Sequence, residues 1–186
     1  PFVPVGRKSV VRAQMAEMVL KAMNEQNLQV VIGRAPEFYG PDKTQSITNT
    51  LVFDRIKAGK KAIIPVSASV LRTLIWTPDA SRALALLGNT PDAYGQTWHL
   101  PVAGSLTYEK LIKKTEAVLN QKIGYHVLPM WGFKIGSLFN DQVKELMELL
   151  PRYKYNNIFN SDKFKQRFPE FHITSYDEGI KTVFNA

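Results

Sequence analysis

The chain has 186 residues, 45% of them hydrophobic, and a formal net charge of +8 at pH 7. This length and composition exclude a lone small peptide and indicate a globular chain with at least one hydrophobic core, and the absence of cysteine excludes disulfides, thiol nucleophiles and thiolate metal sites. No apolar run approaches the roughly 18 residues that a membrane span needs, so we expect a cytoplasmic protein with no membrane partner. Lys and Arg are scattered along the chain, which favours a solvated basic surface over a nucleic-acid site.

The first two predicted elements are a helix and a buried strand. Apolar residues recur at helical spacing between residues 8 and 25, as at Val11, Met15 and Met18, which predicts an amphipathic helix with a face in the core. Residues 28–33 form a nearly continuous apolar run that ends in glycine, a pattern typical of a strand buried on both faces of a parallel sheet. Such a strand needs parallel neighbours on both sides, so we expect that an amino-terminal portion of the protein is missing from this sequence.

A loop is predicted after this strand. Residues 34–50 contain Gly40, Pro41 and several Ser and Thr residues, which are typical of irregular structure. The loop leaves the carboxyl end of the strand, and ligands bind at such ends in open α/β sheets. The stretch is therefore a candidate for ligand contact.

The next predicted elements are a strand at 71–76 and a well-marked helix. Thr77 is expected to cap the helix and Pro78 to occupy its first turn, with Gly88 just past its end. The charge of Asp79 is expected to stabilise the start of this helix.

The remaining elements follow from apolar spacing and capping residues. We predict strands at 98–102 and about 124–129, and helices near 107–121, from Asn140 to Pro151, after Ser161 and at the end of the chain. Ser175 and Glu178 form a capping box for the last helix.

Three segments of the sequence occur in an order known from one protein family. Residues 34–41 read RAPEFYGP, residues 70–79 read VLRTLIWTPD and residues 178–180 read EGI. They resemble the R-x-x-N-x-Y-G-P, V-R-D-Y-I-H-V-x-D and closing E-G-I/L patterns of extended short-chain dehydrogenases/reductases, the NAD-dependent epimerase/dehydratase family. The resemblance covers nearly the whole chain and implies an α/β fold, namely the carboxyl-terminal part of a Rossmann-type doubly wound parallel sheet with a smaller mixed α/β substrate-binding lobe.

The resemblance also implies how the chain is divided. Residues 1–45 would be the final part of the Rossmann-type dinucleotide-binding domain, and residues 46–186 would mostly form the substrate-binding lobe. Residues 71–102 would partly return to the Rossmann-type sheet. The helix predicted at 8–25 lies where relatives pair, which implies a homodimer.

The catalytic pair typical of the family has no counterpart here. In the family a Tyr, and a Lys four residues later, lie on one face of the helix that here spans about 8–25. The ammonium lowers the pKa of the phenol, which then acts as acid or base in hydride transfer. The resemblance places Val5 at the Tyr position and Ser9 at the Lys position. Neither side chain can do this chemistry, so the catalytic residues stay unknown, with Lys8 and Arg12 as candidates for contact with the cofactor ribose.

Contacts with cofactor and substrate are implied at the first motif. Ala35 and Pro36 would pass the nicotinamide end of NAD or NADP, unless Pro36 simply fixes the loop. Glu37 stands where the family has an Asn that contacts substrate. A carboxylate there would repel phosphate and favour hydroxyl or amine donors, unless it is a plain surface residue.

Two further substrate contacts are implied by the motifs. Arg72 stands where sugar epimerases hold the nucleotide diphosphate with an arginine, whose planar fork of donors suits this task. The alternative is an ordinary arginine at a strand edge. Tyr39 would reach the substrate cleft or pack among aromatic side chains. The three histidines lack the spacing of metal ligands, so no metal is expected.

The resemblance therefore implies an NAD(P)-dependent epimerase, dehydratase or reductase that exchanges hydride with nicotinamide. Its substrate would be a nucleotide sugar or a related small anionic compound. The missing Tyr/Lys pair keeps open a second interpretation, a non-catalytic NAD(P)-binding sensor or scaffold of the same fold. Nucleic-acid binding through the basic surface is the least favoured function.

Overall fold

Helices and short strands alternate along the chain in the computed structural model, which describes residues 6–26, 28–41 and 44–185. The strands are β1 (Ile32–Arg34), β2 (Glu37–Tyr39), β3 (Ala62–Pro65), β4 (Arg72–Trp76), β5 (Thr97–His99), β6 (Ser105–Leu106) and β7 (Tyr125–Leu128). The α-helices are α1 (Arg7–Glu25), α2 (Asp54–Lys57), α3 (Thr77–Gly88), α4 (Tyr108–Leu119), α5 (Met130–Gly136), α6 (Asp141–Leu146), α7 (Asp162–Arg167) and α8 (Tyr176–Asn185). A π-helical turn (Asn49–Phe53) precedes α2, and 3-10 turns span Pro91–Ala93 and Leu150–Lys154.

The strands pair mainly in parallel. β1 pairs with β5, β2 with β4 and β3 with β7 in parallel, and β6 joins β4 in the antiparallel direction. Arg34 lies opposite His99 in the first pair, and Glu37 lies opposite Leu74 in the second. Parallel strands need crossover connections, and the intervening helices supply them. The predicted α/β class is confirmed.

Two clusters of buried side chains hold these elements together. One lies among β2, β3, β4, α4 and α8 and contains the fully buried Phe53, Leu111 and Ile180. The other surrounds α3, β5 and α7 and contains Leu87 and Phe164. Each such side chain stabilises the fold by about 1.5–3 kcal/mol through burial. The fold therefore has a core that the elements after β1 supply.

The strand predicted at 28–33 is shorter and less buried than expected. β1 begins at Ile32, its first two residues are half-buried, and Leu28 is exposed. Among the described residues β1 pairs with β5 alone, so its other edge has no strand beside it. The prediction that both faces of this strand are buried is wrong for this chain. An apolar run shows that a segment can be buried, but it does not show which neighbouring elements are present to bury it.

The helix predicted at 8–25 is present as α1, but its predicted core face is wrong. No α1 side chain that the structure describes is buried, and Val11, Met15 and Met18 are exposed. Val19, Ala22 and Met23 on the same stripe are half-buried, so the stripe makes only partial contact with the rest of the described chain. Among the helices in the described ranges, none combines the length and apolarity of a membrane span.

The stretch predicted as a loop at 34–50 is partly regular. It contains β2, and a helical segment begins at residue 47 and runs through the π-helical turn into α2. The Asn49 side chain orders the connection, since its amide donates to the Gly40 carbonyl at 2.8 Å and its oxygen accepts from the Gly40 N–H at 3.2 Å. The prediction of a loop over the whole of 34–50 is therefore wrong. The polar Asn49 binds backbone groups, and the apolar Val52 and Phe53 that follow it are buried.

Most elements predicted after residue 70 are confirmed with shifted bounds, but the helix predicted from Asn140 to Pro151 already ends at Leu146, and Pro151 lies in a 3-10 turn. β4 occupies the strand predicted at 71–76, and all of its residues are buried. β5 is shorter than the predicted 98–102, and Thr77 is the first residue of α3 rather than its cap. The capping box before α8 is present, since the Ser175 N–H donates to the Glu178 carboxylate at 2.8 Å and the Glu178 N–H donates to the Ser175 hydroxyl at 3.3 Å.

Asp79 joins two parts of the fold in addition to lying in the first turn of α3. Its buried carboxylate accepts from the Thr174 N–H at 2.7 Å, from the Thr174 hydroxyl at 2.9 Å and from the Arg82 guanidinium at 2.6 Å. Hydrogen bonds to a charged acceptor are among the stronger ones in proteins. Asp79 therefore ties α3 to the segment that leads into α8.

Gly179 lies where α8 packs on β2, and an added methyl group there would strike Tyr39. An ideal Cβ on Gly179 would be 2.7 Å from the Tyr39 Oη and 2.9 Å from its ring, and the buried Tyr39 has no room to retreat. We expect Gly179→Ala to lower the free energy of unfolding in urea by about 1–3 kcal/mol, although alanine is the better helix former.

Gly88→Ala is the matched control for this prediction. Gly88 is the last residue of α3, and a Cβ there would meet no atom within 4 Å. The same substitution should leave the free energy of unfolding unchanged or raise it by up to about 1 kcal/mol. Combining Tyr39→Phe with Gly179→Ala should recover part of the loss, because it removes the nearest atom. Equal effects at positions 179 and 88 would contradict the packing argument.

Candidate functional site

The predicted ligand crevice begins where β1 ends. Ala35 and Pro36 join β1 to β2, and both are half-buried. They therefore lie at the carboxyl end of the β1–β5 pair, the kind of edge at which ligands bind in open α/β sheets. Their contact with the nicotinamide end of a cofactor stays a prediction.

Glu37 and Arg72 meet in the interior just beyond this edge. Glu37 opens β2 and Arg72 opens β4, and the parallel pairing of these strands brings the two side chains together. Glu37 Oε1 forms an ion pair with Arg72 Nη2, and the side chains are only 9% and 1% exposed. The alternatives of a surface glutamate and a strand-edge arginine are wrong, because both groups are enclosed and β4 is the central strand of its sheet.

Arg152 and Tyr153 reach the same ion pair from the second 3-10 turn. The Tyr153 hydroxyl donates to Glu37 Oε2 at 3.0 Å, and Arg152 Nη2 lies 3.5 Å from Glu37 Oε1. Arg72 Nη1 donates to the Arg152 carbonyl at 2.9 Å, and the Arg72 guanidinium carbon lies 4.1 Å from the centroid of the Tyr153 ring. We refer to Glu37, Arg72, Arg152 and Tyr153 as the Glu37 cluster.

Burial dominates the electrostatics of the Glu37 cluster. It lowers the pKa of Arg72 and raises the pKa of Tyr153, because a charged form is disfavoured away from water. The neighbouring phenols raise the pKa of Arg72, and Arg152 lowers it. A guanidinium is still protonated at neutral pH. One carboxylate thus faces two guanidinium groups, and the uncompensated positive charge extends towards Arg152, whose side chain is 44% exposed.

Tyr39 lies in the core and packs among aromatic side chains. Its ring centroid is 5.1 Å from that of Trp76 and 5.5 Å from that of Tyr176. Burial raises the pKa of Tyr39, and it raises the pKa of Tyr176 to about 12, so both phenols are protonated at neutral pH. The contact of Tyr39 with a substrate stays a prediction.

The residues considered for catalysis or ribose contact lie at the start of α1. The Lys8 ammonium forms an ion pair with Glu145 of α6 at 3.1 Å, and its backbone N–H donates to Glu148 at 2.8 Å. The Ser9 hydroxyl donates to the Gly6 carbonyl at 2.9 Å, and Arg12 is exposed. Val5 lies outside the described residues. Lys8 is thus engaged by α6, and its contact with a ribose stays a prediction.

His99 lies at the carboxyl end of β5, beside the crevice edge. Its Nδ1 hydrogen-bonds with the Asn160 carbonyl at 2.7 Å, and its ring stacks on Phe159 at 4.1 Å. A carbonyl only accepts, so Nδ1 carries a proton. Over the described part of the chain, no group of three or more His, Asp or Glu could hold a metal ion.

An open cavity of about 520 Å³ lies at the other end of the β2–β4 pair. It is lined by Phe38, Pro41, Thr44, Gln45 and Thr77. Thr44, Gln45 and Thr77 offer hydroxyl and amide groups without charge, and Phe38 directly follows Glu37 in β2. Four of the five lining residues belong to the segment 34–50, which was predicted as a candidate for ligand contact.

Arg152 and Tyr153 are the members of the site that sequence reasoning missed. They lie in an irregular turn, and 116 positions separate Tyr153 from Glu37. The available signal was indirect, since an enclosed carboxylate and guanidinium need further hydrogen-bond partners. That rule shows that partners exist without indicating where they are in the sequence.

The fold is similar to that of solved enzymes. One is dTDP-glucose 4,6-dehydratase from Bacillus anthracis str. Ames in complex with NAD, with a TM-score of 0.70 and 15% identity, covering 98% of this chain and 52% of that one. Another is UDP-N-acetylglucosamine 4-epimerase from Methanobrevibacter ruminantium M1 in complex with UDP-N-acetylmuramic acid, with a TM-score of 0.72 and 13% identity, covering 98% and 53%. The likeness shows a Rossmann-type fold, and the chain spans about half the length of these structures.

Two sequence comparisons concern the family directly. Uncharacterized protein y4nL of Sinorhizobium fredii (strain NBRC 101917 / NGR234) is 30% identical over 131 residues, which are 69% of this chain and 35% of that protein. The model of the NAD dependent epimerase/dehydratase family matches residues 9–101, half of the chain. The matched range includes both Glu37 and Arg72. The chain belongs to the NAD dependent epimerase/dehydratase family.

Proposed function

We propose that this chain is the carboxyl-terminal part of an NAD(P)-dependent epimerase, dehydratase or reductase. The reaction would be hydride exchange with nicotinamide, and the substrate a nucleotide sugar or a related small anionic compound. The family match over residues 9–101 carries this proposal. The NAD complex of the dehydratase and the UDP-linked ligand of the epimerase with the same fold support it.

The residues at the end of β1 fit the proposed cofactor. Ala35 and Pro36 are small and half-buried at the carboxyl edge of β1, so a flat ring can approach the backbone there. NAD or NADP would supply the hydride acceptor and, in its reduced form, the hydride donor. The chain would contribute a wall that orients the ring and excludes water from it. The cofactor pyrophosphate would be held by an amino-terminal half of the same protein, where the glycine-rich turn of the family would lie.

The proposal extends to domain organisation and partners. Residues 1–45 would complete a dinucleotide-binding domain, and residues 46–186 would mostly bind substrate, with 71–102 partly returning to the sheet. An amino-terminal half would add a strand beside β1, and two copies would pair through α1. The edge of β1 that has no neighbouring strand in the described ranges and the exposed residues Val11, Met15 and Met18 of α1 support this arrangement.

Titration with NAD(H) and NADP(H) tests the proposal. Calorimetry or nicotinamide fluorescence should show weak binding to this chain and at least tenfold tighter binding to a version extended upstream, because the pyrophosphate site lies in the added part. The dinucleotide that binds more tightly identifies the cofactor. Full-length protein that turns over no nicotinamide with nucleotide sugars or related carbonyl compounds would contradict the enzymatic proposal.

A non-catalytic NAD(P)-binding sensor or scaffold is the second candidate. The motif resemblance, which would place Val5 and Ser9 at the positions of the family's Tyr and Lys, favours it. We expect Val5→Tyr combined with Ser9→Lys in the full-length protein to raise nicotinamide turnover by about 10²-fold or more, because it restores a general acid/base. Turnover gained only in this variant identifies the sensor or scaffold. Turnover already present in the unaltered protein identifies an enzyme with another acid/base.

A further inference from the structure

Two arginines converge on one oxygen of Glu37. Arg72 Nη2 and Arg152 Nη2 both face Glu37 Oε1, the first in direct ion-pair contact and the second at 3.5 Å. Paired guanidinium groups are a common device for holding the phosphate or carboxylate of a ligand. In this chain the acceptor is one of the protein's own side chains.

Other groups of the ion pair also have partners, although the buried Arg72 Nε has no hydrogen bond among the described residues. The second oxygen of Glu37 accepts from the Tyr153 hydroxyl at 3.0 Å, the Tyr153 ring covers one face of the Arg72 guanidinium, and Arg72 Nη1 donates to the Arg152 carbonyl. Only 1% of the Arg72 side chain is exposed. A phosphate could reach Arg72 only by displacing Glu37 from two cations and a hydroxyl, or by lying beside a like charge.

We infer that the Glu37 carboxylate occupies the anion position of this crevice and is a specificity-determining residue that excludes a diphosphate from Arg72. The inference rests on the proposed function and narrows its substrate class. Of the compounds proposed above, it selects small substrates that present hydroxyl or carbonyl groups at this point in place of a diphosphate. Arg72 then holds Glu37 in position and does not hold the substrate.

Removing the carboxylate should create an anion site. Glu37→Ala leaves a gap between the guanidinium groups of Arg72 and Arg152, and a small anion can fill it. Thermal unfolding of this chain should be followed against formate, inorganic phosphate and UDP at constant ionic strength. We expect a saturable rise in Tm for Glu37→Ala, with apparent affinity at least about tenfold above that of the unaltered chain.

Two variants serve as controls. Glu109→Ala removes a carboxylate from the exposed first turn of α4 and should behave as the unaltered chain, which excludes an effect of net charge alone. Glu37→Ala combined with Arg152→Met removes one of the two cations and should lose most of the gained affinity.

Three results would overturn the inference. In the first, phosphate or UDP raises the Tm of the unaltered chain as much as that of Glu37→Ala. In the second, the anions raise the Tm of Glu37→Ala no more than that of Glu109→Ala. In the third, the rise in Tm is undiminished when Arg152→Met is added to Glu37→Ala. If Glu37→Ala is unfolded in dilute buffer, refolding yield replaces Tm, and a yield that does not rise with formate also overturns it. Because no nicotinamide enters these measurements, their outcome is separate from that of the cofactor titration.

Discussion

Arg72→Met should unfold in urea with a free energy of unfolding about 3–5 kcal/mol below that of the unaltered chain. The variant leaves the Glu37 carboxylate enclosed with the Tyr153 hydroxyl and the half-exposed Arg152, whose Nη2 lies 3.5 Å from Glu37 Oε1, as its remaining partners. Removing one member of a buried ion pair costs far more than the pair contributes, because the remaining charge has already lost its water. Equilibrium unfolding followed by circular dichroism measures the loss.

Two comparisons decide whether the loss of stability comes from removing the buried charge of Arg72 beside Glu37. Arg167→Met breaks an exposed ion pair with Asp92, at 3.0 Å, and should change the free energy of unfolding little. Glu37→Met combined with Arg72→Met removes both charges and should recover much of the stability, which a double-mutant cycle reports as coupling. An Arg72→Met variant no less stable than Arg167→Met would show that the pair is not enclosed as described.

Asp79→Ala should lower the free energy of unfolding by about 3 kcal/mol. The substitution leaves the Thr174 N–H and hydroxyl without their acceptor at a buried point, and it releases Arg82 from its carboxylate. It also separates α3 from the chain that leads into α8. Urea unfolding measures the size of the loss, and amide exchange of residues 174–180 should accelerate with it because that segment loses its anchor.

Asp141→Ala is the matched control for Asp79. Asp141 also lies in the first turn of a helix but is exposed. Its carboxylate should contribute only the helix-dipole term of about 0.3–1 kcal/mol. Asp79→Asn keeps the shape and one acceptor oxygen, so its loss should be intermediate. Equal losses for Asp79→Ala and Asp141→Ala would reduce the role of Asp79 to the charge effect predicted from sequence.

The class of fold and most elements after residue 70 could be predicted because local rules and tertiary environment agree there. In α3 the proline in the first turn, the apolar stripe and the closing glycine all indicate one helix, and the structure has it. At 28–33 and 8–25 the same rules gave the element types correctly and the burial incorrectly. Burial depends on which partners surround a segment, and periodicity does not contain that information.

The site was partly predictable for a similar reason. Motif order identified Glu37 and Arg72 as residues of one site, and parallel pairing of β2 with β4 brings them together. Their mutual ion pair was not foreseen, because each residue was compared separately with a family position. Tyr153 joins them from a turn that carries no periodic signal. Contacts between residues this far apart in the sequence arise only from the complete fold.

The exposed stripe of α1 has a consequence for local stability. A helix with no buried side chain is held by its own backbone bonds and a few surface contacts, such as that between Lys8 and Glu145. Most of the stability of helices in proteins comes from packing of an apolar face, and α1 has little such packing. The free energy of opening α1 should therefore be far below that of global unfolding. Limited proteolysis should therefore remove α1 while both clusters of buried side chains remain folded. A partner surface that covers α1 must contribute the free energy that stabilises the helical conformation.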